Sequence, residues 1–277
     1  MLRTIRTVLI SLFSLALLAA IALAYYEYTH LDNTPPVFHS EADLLEISIV
    51  DSEEALFTGL TATDDTDGDL TSKIQIKSIS TLFNETDVLV EYLVFDQASN
   101  HATYIRTVRY QDYVSPRFHL NRSMVFRMGE TVNIRDSVTV ADLREGDITG
   151  KIKLEETTVV NTTPGVYSIL LSATNEMGDT VYLPLTVQIT SNSVSQPNIV
   201  LTDYLIYLNQ GTRPQFRRYL ESVTDPLDTT GSTIPLSDVS VNDADVNVDV
   251  PGVYEVYYYY TGLSGEVANV ILTVVVE

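Results

Sequence analysis

The stretch Asp67-Gly-Asp-Leu-Thr71, followed by Lys73-Ile74, returns in related form later in the chain. Its second appearance is Glu145-Gly-Asp-Ile-Thr149, which is again followed by a Lys-Ile pair, Lys151-Ile152. An acidic-Gly-acidic triplet predicts a tight turn, in which the glycine takes a positive φ and the acids accept hydrogen bonds from backbone N–H groups. A turn that recurs together with its flanking residues indicates a repeated structural unit.

Other sequence marks repeat at nearly the same interval. Pro36, Pro116 and Pro197 are almost evenly spaced, and Pro164-Gly-Val-Tyr167 is matched by Pro251-Gly-Val-Tyr254. Between these marks lie short alternating stretches that are rich in Val, Ile, Thr and Tyr, which is typical of β-strands. A unit of about 80 residues with about seven short strands has the size of a small β-sandwich.

The sequence therefore predicts an all-β protein of tandem Ig-like β-sandwich domains that follow an N-terminal transmembrane or signal helix. We expect a cytoplasmic stub and apolar helix over residues 1–28, and sandwich domains over 29–111, 112–192 and 193–277. The third domain is divergent, because Asp228-Thr-Thr-Gly-Ser232 stands where its acidic turn is expected.

The repeated marks resemble the bacterial immunoglobulin-like module of surface proteins, a type also found in pesticidal crystal proteins. The first copy shows Asp64-Asp-Thr-Asp-Gly-Asp-Leu-Thr71 and Asp96-Gln-Ala-Ser-Asn100, with Glu85-Thr-Asp87 in place of Pro-Gly. The second copy keeps Pro164-Gly-Val-Tyr167 and Asn175-Glu-Met-Gly178. The resemblance extends from residue 33 to the end of the chain and implies extracellular spacer or adhesive units.

The N-terminus carries a membrane signal. Arg3 and Arg6 precede the uncharged run Thr7–Ala24, and tyrosine follows at Tyr25. This length and these flanks fit a spanning helix with a cytoplasmic N-terminus. We expect one side of this helix to present apolar residues to lipid: Val8, Leu12, Leu15, Leu18 and Ile21.

The same segment fits a cleaved signal peptide, since Ala22-Leu23-Ala24 is an A-x-A site. The expected location is therefore the cell membrane, with a single pass and the bulk of the chain extracytoplasmic. If Ala22-Leu23-Ala24 is cleaved, the protein is secreted.

Composition excludes several function classes. Asp plus Glu number 37 and Lys plus Arg 16, which gives a formal net charge of −21. Such an acidic chain is not expected to bind nucleic acid, because neutralising phosphates requires a basic surface. With no Cys in the chain, disulfides, thiol nucleophiles and Cys-based metal sites are excluded.

One cofactor is considered, Ca²⁺, at the first acidic turn. Asp64, Asp65, Asp67 and Asp69 place hard oxygen ligands close together in the sequence. The spacing overlaps the start of an EF-hand loop, but Ile76 stands where the loop would need its glutamate. The alternative is a solvated turn in an acidic protein.

A run of tyrosines, Tyr257 to Tyr260, is the candidate ligand-binding surface. Because strand side chains alternate between faces, Tyr258 and Tyr260 share one face with Tyr254, and Tyr257 and Tyr259 share the other. An exposed Tyr257–Tyr259 strip could stack on a sugar or a protein partner. The alternative is cross-strand packing that stabilises the sheet.

The function expected from these features is a membrane-anchored bacterial surface protein that acts without catalysis, as a stalk, an adhesive unit or a protein-interaction module. The main alternative is an accessory glycan-binding protein in envelope polysaccharide or cell-wall assembly. An enzyme hidden in the divergent third domain is a further alternative, although divergence is typical of a terminal capping repeat.

Overall fold

The computed structural model describes residues 2–29, 32–230 and 233–277, and the chain divides into two compact units, Met1–Gln111 and Asp112–Glu277. Positions 30–31 of the expected first domain and positions 231–232 of the divergent turn lie outside the described residues. The fold class is confirmed: an apolar helix is followed by tandem β-sandwiches.

Helix α1 spans Leu2–Thr29, and its segment Ile5–Tyr26 has 22 residues with a mean hydropathy of 2.5. At about 1.5 Å per residue this segment is long enough for a hydrocarbon core of about 30 Å. None of it is buried within the protein, and a signal sequence would have the same properties. The predicted lipid-facing residues are all exposed, by 56% to 66%: Val8, Leu12, Leu15, Leu18 and Ile21.

After α1, the first unit contains two sheets. One has the order β1-β3-β4 and the other the order β2-β7-β6-β5. Among the described strands of this unit, β2 and β7 pair in parallel and the other neighbours pair antiparallel. The strands of this unit are β1 Val37–Ser40, β2 Leu44–Ile47, β3 Leu60–Asp64, β4 Gly68–Asp69, β5 Gln75–Ile79, β6 Asp87–Phe95 and β7 His101–Tyr110.

The second unit contains four sheets. Two of them, with orders β11-β10-β8 and β12-β13-β14-β9, use strands from residues 117–190. Their elements are β8 Arg117–Leu120, β9 Val125–Arg127, a short α2 Ile134–Ser137, β10 Val138–Asp142, β11 Gly146–Asp147, β12 Lys153–Thr157, β13 Gly165–Thr174 and β14 Thr180–Thr190.

The other two sheets of this unit have orders β15-β17 and β16-β20-β19-β18. Their strands are β15 Asn198–Leu201, β16 Leu205–Leu208, β17 Leu220–Thr224, β18 Ser240–Asn242, β19 Gly252–Thr261 and β20 Val267–Val276. The parallel pairing of β2 with β7 recurs twice in the second unit, where β9 pairs in parallel with β14 and β16 pairs in parallel with β20.

The cores lie between facing sheets and use alternate residues of the long strands. In β6, Val88, Val90, Tyr92 and Val94 are all fully buried, which is the period-2 pattern of a strand with one face on a core. The Tyr92 hydroxyl is satisfied by donating to the Leu56 carbonyl, 2.6 Å away. The same alternation in β13 and β19 builds the cores of the second unit.

Candidate metal centre

Three aspartates from distant parts of the first unit converge at one end of its sandwich. One carboxylate oxygen from each of Asp32, Asp64 and Asp96 lies within 4.8 Å of the others. Asp32 precedes β1, Asp64 ends β3, and Asp96 directly follows β6. We call these three residues the carboxylate cluster.

Strand pairing explains why the cluster forms. Strand β1 runs antiparallel to β3 with Val37 opposite Thr63, so the segment before β1 meets the end of β3. Asp96 opens the tight β6–β7 connection, where its backbone N–H donates to the Asn100 carbonyl at 3.0 Å. Residues that are far apart in sequence are thus brought to the same end of the two sheets.

Asp64 is held rigidly and is only 8% exposed. Its Oδ1 accepts backbone hydrogen bonds from Thr66 and Asp67, each 3.0 Å long. Its Oδ2 is buried, and no donor among the described residues reaches it. Buried carboxylate oxygens are normally hydrogen-bonded or ion-paired, so this atom requires an explanation.

The other two members are held by neighbours on their own turns. Asp96 is 7% exposed and accepts from Asn100 through both oxygens, from the backbone and the side-chain amide, each at 2.7 Å. Asp32 accepts from the Thr34 hydroxyl and backbone N–H, and these bonds lower the pKa of its carboxyl. None of the ion pairs within residues 32–230 and 233–277 involves the cluster.

Of the four aspartates predicted as metal ligands, the structure brings only Asp64 into the cluster. Asp65 shares the single hydroxyl proton of Thr34 with Asp32, since the Thr34 oxygen lies 2.6 Å from Oδ1 of each, and Asp67 accepts from Gln97 through both oxygens. Asp69 accepts from the Thr71 backbone N–H, and its bonds to Thr71 lower its pKa. These three carboxylates are engaged in shaping the turn.

Sequence reasoning did not find Asp32 and Asp96. Both lie far from Asp64 along the chain, so no local spacing links the three residues. The available signals were the position of Asp32 just before Pro35-Pro36 and the position of Asp96 in the Asp-x-x-x-Asn motif. Both marks stand at strand ends, which an antiparallel pairing would bring to the same edge.

The second unit contains a counterpart of this site at the end of β10. Asp142 Oδ1 accepts from the backbone N–H groups of Arg144 and Glu145, as Asp64 Oδ1 does from its own turn. At the position of Asp96 stands Asn175, whose Nδ2 donates to Asp142 Oδ2 at 3.0 Å. The carboxylate that is unpartnered in the first unit is therefore satisfied here.

Neighbouring groups complete this counterpart. Asn175 Nδ2 also donates to the Tyr113 hydroxyl, which in turn donates to Asp179. Burial, followed by the hydrogen bond to Asp179, raises the pKa of Tyr113. Lys151 forms an ion pair with Glu145. The amide of Asn175 thus takes the place of the Asp96 carboxylate opposite the buried aspartate.

A third version occurs at the end of β17. Asp225 Oδ1 accepts from the Leu227 N–H at 2.9 Å, and its Oδ2 accepts from the Leu263 N–H at 2.7 Å. Gly262 stands at the position of Asp96 and Asn175. A Cβ there would lie 2.5 Å from Pro197 Cγ and 2.7 Å from Asp225 Oδ2. The absence of a side chain at Gly262 lets the backbone reach the aspartate.

The tyrosine strip lies on β19 of the second unit. Tyr258 is fully buried, and its hydroxyl donates to the Phe216 carbonyl at 2.7 Å. Tyr257 and Tyr259 lie on the opposite face, where their rings stack at 6.1 Å with an interplanar angle of 7°. Tyr257 donates to Glu255, which together with burial raises the pKa of its phenol.

A cleft of about 330 Å³ adjoins this strip. Its lining combines residues of β13, β14 and β19 with one residue of a loop: Ser168, Pro184, Leu185, Thr186, Asp245, Val253, Tyr254, Glu255 and Tyr257. A half-buried aromatic pair beside a mixed polar and apolar cleft has the composition of a small binding surface.

No family model matches the chain, and no curated protein sequence matches it significantly. Among solved structures, it is similar to the CBM51-2 and INT domains of Clostridium perfringens ZmpB, with 24% identity over 26% of this chain and 15% of that one, at a TM-score of 0.24. Another structure of CBM51-2 and INT, in complex with GlcNAc, matches at 19% identity over 53% and 26% of the two chains, with a TM-score of 0.24.

Two further solved structures are similar to the chain. A lipoprotein of Bacteroides thetaiotaomicron is 15% identical over 56% of this chain and 77% of that one, with a TM-score of 0.26. Drosophila N-cadherin EC1-4 is 13% identical over 88% of this chain and 75% of that one, with a TM-score of 0.22. The chain spans between 15% and 31% of the lengths of the three ZmpB structures. These TM-scores carry no argument about function.

Proposed function

We propose that the protein is a membrane-anchored surface protein of three tandem Ig-like copies, over residues 29–111, 112–192 and 193–277, which serves as a stalk or interaction module without catalysis. The observation that supports this proposal most strongly is the exposed apolar helix α1. Its apolar side chains contact no core, and the chain then continues as β-sandwiches. An exposed apolar helix in a protein this acidic requires a lipid environment or removal by processing.

The net charge supports an extended position away from lipid. At −21 the chain repels anionic lipid headgroups, so the sandwiches would project from the membrane rather than lie on it. The N-terminal arginines favour a cytoplasmic start and place the sandwiches outside.

The topology can be tested because the chain has no cysteine. We expect Val194→Cys, at a position 82% exposed, to react with a membrane-impermeant maleimide in intact bacterial cells. The control Leu15→Cys, also exposed in the isolated chain, should be protected by lipid. Labelling of Val194→Cys only after lysis would contradict the proposal, and recovery of a soluble protein that begins at Tyr25 would favour the secreted form.

The alternative is an accessory glycan-binding protein of envelope polysaccharide or wall assembly, and it rests on the Tyr257–Tyr259 strip. Stacked aromatic rings beside a cleft suit the apolar face of a sugar. In sedimentation with purified peptidoglycan, this alternative predicts that Tyr257→Ala/Tyr259→Ala weakens binding about tenfold, if each ring contributes about 0.7 kcal/mol. Tyr182→Ala, which removes an exposed tyrosine on β14, is the matched control. Equal binding by both variants would eliminate this role for the strip.

A further inference from the structure

The carboxylate cluster has the dimensions of a calcium site. Two oxygens that bind one Ca²⁺ at about 2.4 Å lie at most about 4.8 Å apart. The three carboxylate oxygens of Asp32, Asp64 and Asp96 meet this limit pairwise. Hard oxygen ligands of this kind are those that Ca²⁺ prefers.

The orientation of Asp64 gives an independent observation. In the second unit, Oδ2 of the equivalent Asp142 points at Asn175, the counterpart of Asp96. Asp64 has the same Oδ1 bonds and the same strand position, so its Oδ2 is directed at the cluster. This oxygen belongs to a side chain more than nine-tenths buried, and no described donor reaches it.

The electrostatics of the cluster favour a bound cation. Three aspartates that converge within 4.8 Å repel one another, and burial of two of them increases the cost. The second and third versions of the site relieve this cost with protein donors, an amide in one case and a backbone N–H in the other. In the first version, no such donor among the residues that the structure describes reaches Asp64 Oδ2.

We propose that Asp32, Asp64 and Asp96 bind one Ca²⁺, with the remaining coordination positions filled by water. The half-exposed Asp32 and an adjacent cleft lined by Thr34, His39 and Asp65 leave the ion accessible to solvent. The ion ties the segment before β1 to the ends of β3 and β6. It therefore stiffens the part of the chain that directly follows the membrane helix. With three protein carboxylates, the dissociation constant should fall in the range of extracellular modules, between about 10⁻⁴ and 10⁻³ M.

The test is calcium titration of the full-length protein in detergent micelles by calorimetry. We expect wild type to bind one Ca²⁺, and Asp96→Asn to bind at least about tenfold more weakly, because it loses a ligand and gains a donor for Asp64. Asp69→Asn makes the same change of charge outside the cluster, on the turn that carries Asp64, and this variant should bind as wild type does.

Thermal unfolding separates loss of binding from loss of fold. Wild type should gain about 5 °C or more in Tm at about 10 mM Ca²⁺, whereas Asp96→Asn should unfold cooperatively with no such gain. The proposal is overturned if wild type binds no Ca²⁺ at this concentration. Equal losses in Asp96→Asn and Asp69→Asn, or equally tight binding of Mg²⁺, would also overturn it.

Discussion

The acidic turns at the ends of β3 and β10 have the same pattern of backbone hydrogen bonds, but the second carboxylate oxygen of their buried aspartate has different surroundings in the two units. Asp64 and Asp142 both accept two turn N–H groups through Oδ1. Asp142 then receives the Asn175 amide on Oδ2, whereas Asp64 faces a second and a third carboxylate. Two differences separate the closed hydrogen-bond network from the open anionic site: Asp96 stands where the second unit has Asn175, and Asp32 adds a third carboxylate.

The comparison shows that the repeated motif by itself is not the site. The acidic-Gly-acidic triplets shape the turns in both units, and Asp69 and Asp147 perform the same task on Thr71 and Thr149. Hydrogen bonds from these threonines lower the pKa of both aspartates. The charge of the site depends on the side chain that the neighbouring hairpin places opposite the buried aspartate.

Replacing the Asn175 amide of the second unit by a carboxylate should lower the free energy of unfolding more than any of the other substitutions. Asn175→Asp places a carboxylate against the buried Asp142 Oδ2 and removes the donor between them. We expect a loss of about 3 kcal/mol in the free energy of unfolding, measured by urea titration of the full chain. Asn121→Asp makes the same charge change at an exposed position and should cost less than about 0.5 kcal/mol. Equal stability of the two variants would contradict this account of Asn175.

The third version of the site should tolerate no side chain on its hairpin. In Gly262→Ala, the Cβ would meet Pro197 Cγ at 2.5 Å and Asp225 Oδ2 at 2.7 Å. Because a proline ring cannot move aside easily, we expect a loss of about 2 kcal/mol in urea titrations. Gly150→Ala is the matched control, since nothing lies within 4 Å of its Cβ. A Gly262→Ala variant as stable as Gly150→Ala would show that the close approach to Asp225 is unimportant.

The two units also differ in charge at the start of their central strands. In the first unit Asp87, 3% exposed, forms a two-bond ion pair with Arg109, and these bonds hold its pKa well below the usual range. In the second unit Val166 occupies the equivalent place opposite Gln188, so no carboxylate stands there. Because the folded-state pKa is depressed, the Asp87 carboxylate stabilises the first unit above pH about 4, and this contribution is lost as the pH falls further.

We therefore expect Asp87→Asn to cost about 1–2 kcal/mol at pH 7 and to cost progressively less as the pH falls from 4 toward 2. Urea titrations across this pH range measure the effect. The exposed neighbour Glu85→Gln should leave the pH profile unchanged. If Asp87→Asn lowers the free energy of unfolding by the same amount down to pH 2, the ion pair with Arg109 does not cause the loss of stability at low pH.

The smallest expected effect has the opposite sign. In calcium-free buffer with chelator, Asp96→Asn should raise the stability of the first unit by about 1 kcal/mol, since it removes one of three clustered charges and supplies a donor to Asp64. The thermal midpoint in chelator is the measurement. A destabilised variant would mean that the clustered charges cost less than the bonds between Asp96 and Asn100.

The architecture was predictable because it depends on local patterns. Alternation in the strand from Val88 to Phe95, and the return of the acidic triplet of Asp67 at Glu145, indicate sandwiches without any knowledge of pairing. The faces of Tyr257 and Tyr258 follow from the same period of two.

The carboxylate cluster was not predictable in this way. Its members are far apart in sequence, and only the pairing register of β1 with β3 and the hairpin of β6 with β7 bring them together. The other aspartates that the sequence predicts as Ca²⁺ ligands, Asp65, Asp67 and Asp69, instead accept hydrogen bonds in the turn region. Proximity in sequence therefore pointed to the correct turn and to only one of its three converging carboxylates.

The most direct test of the central claim is the number of Ca²⁺ ions that each full-length chain retains at saturation, measured by equilibrium dialysis and atomic absorption. At the lowest free Ca²⁺ concentration that saturates wild type, the account predicts about one ion for wild type and about half an ion or less for Asp96→Asn, because binding to the variant is at least about tenfold weaker and the sites of Asp142 and Asp225 are closed by protein donors. Retention of no ion by wild type, or of equal amounts by wild type and Asp96→Asn, would contradict it.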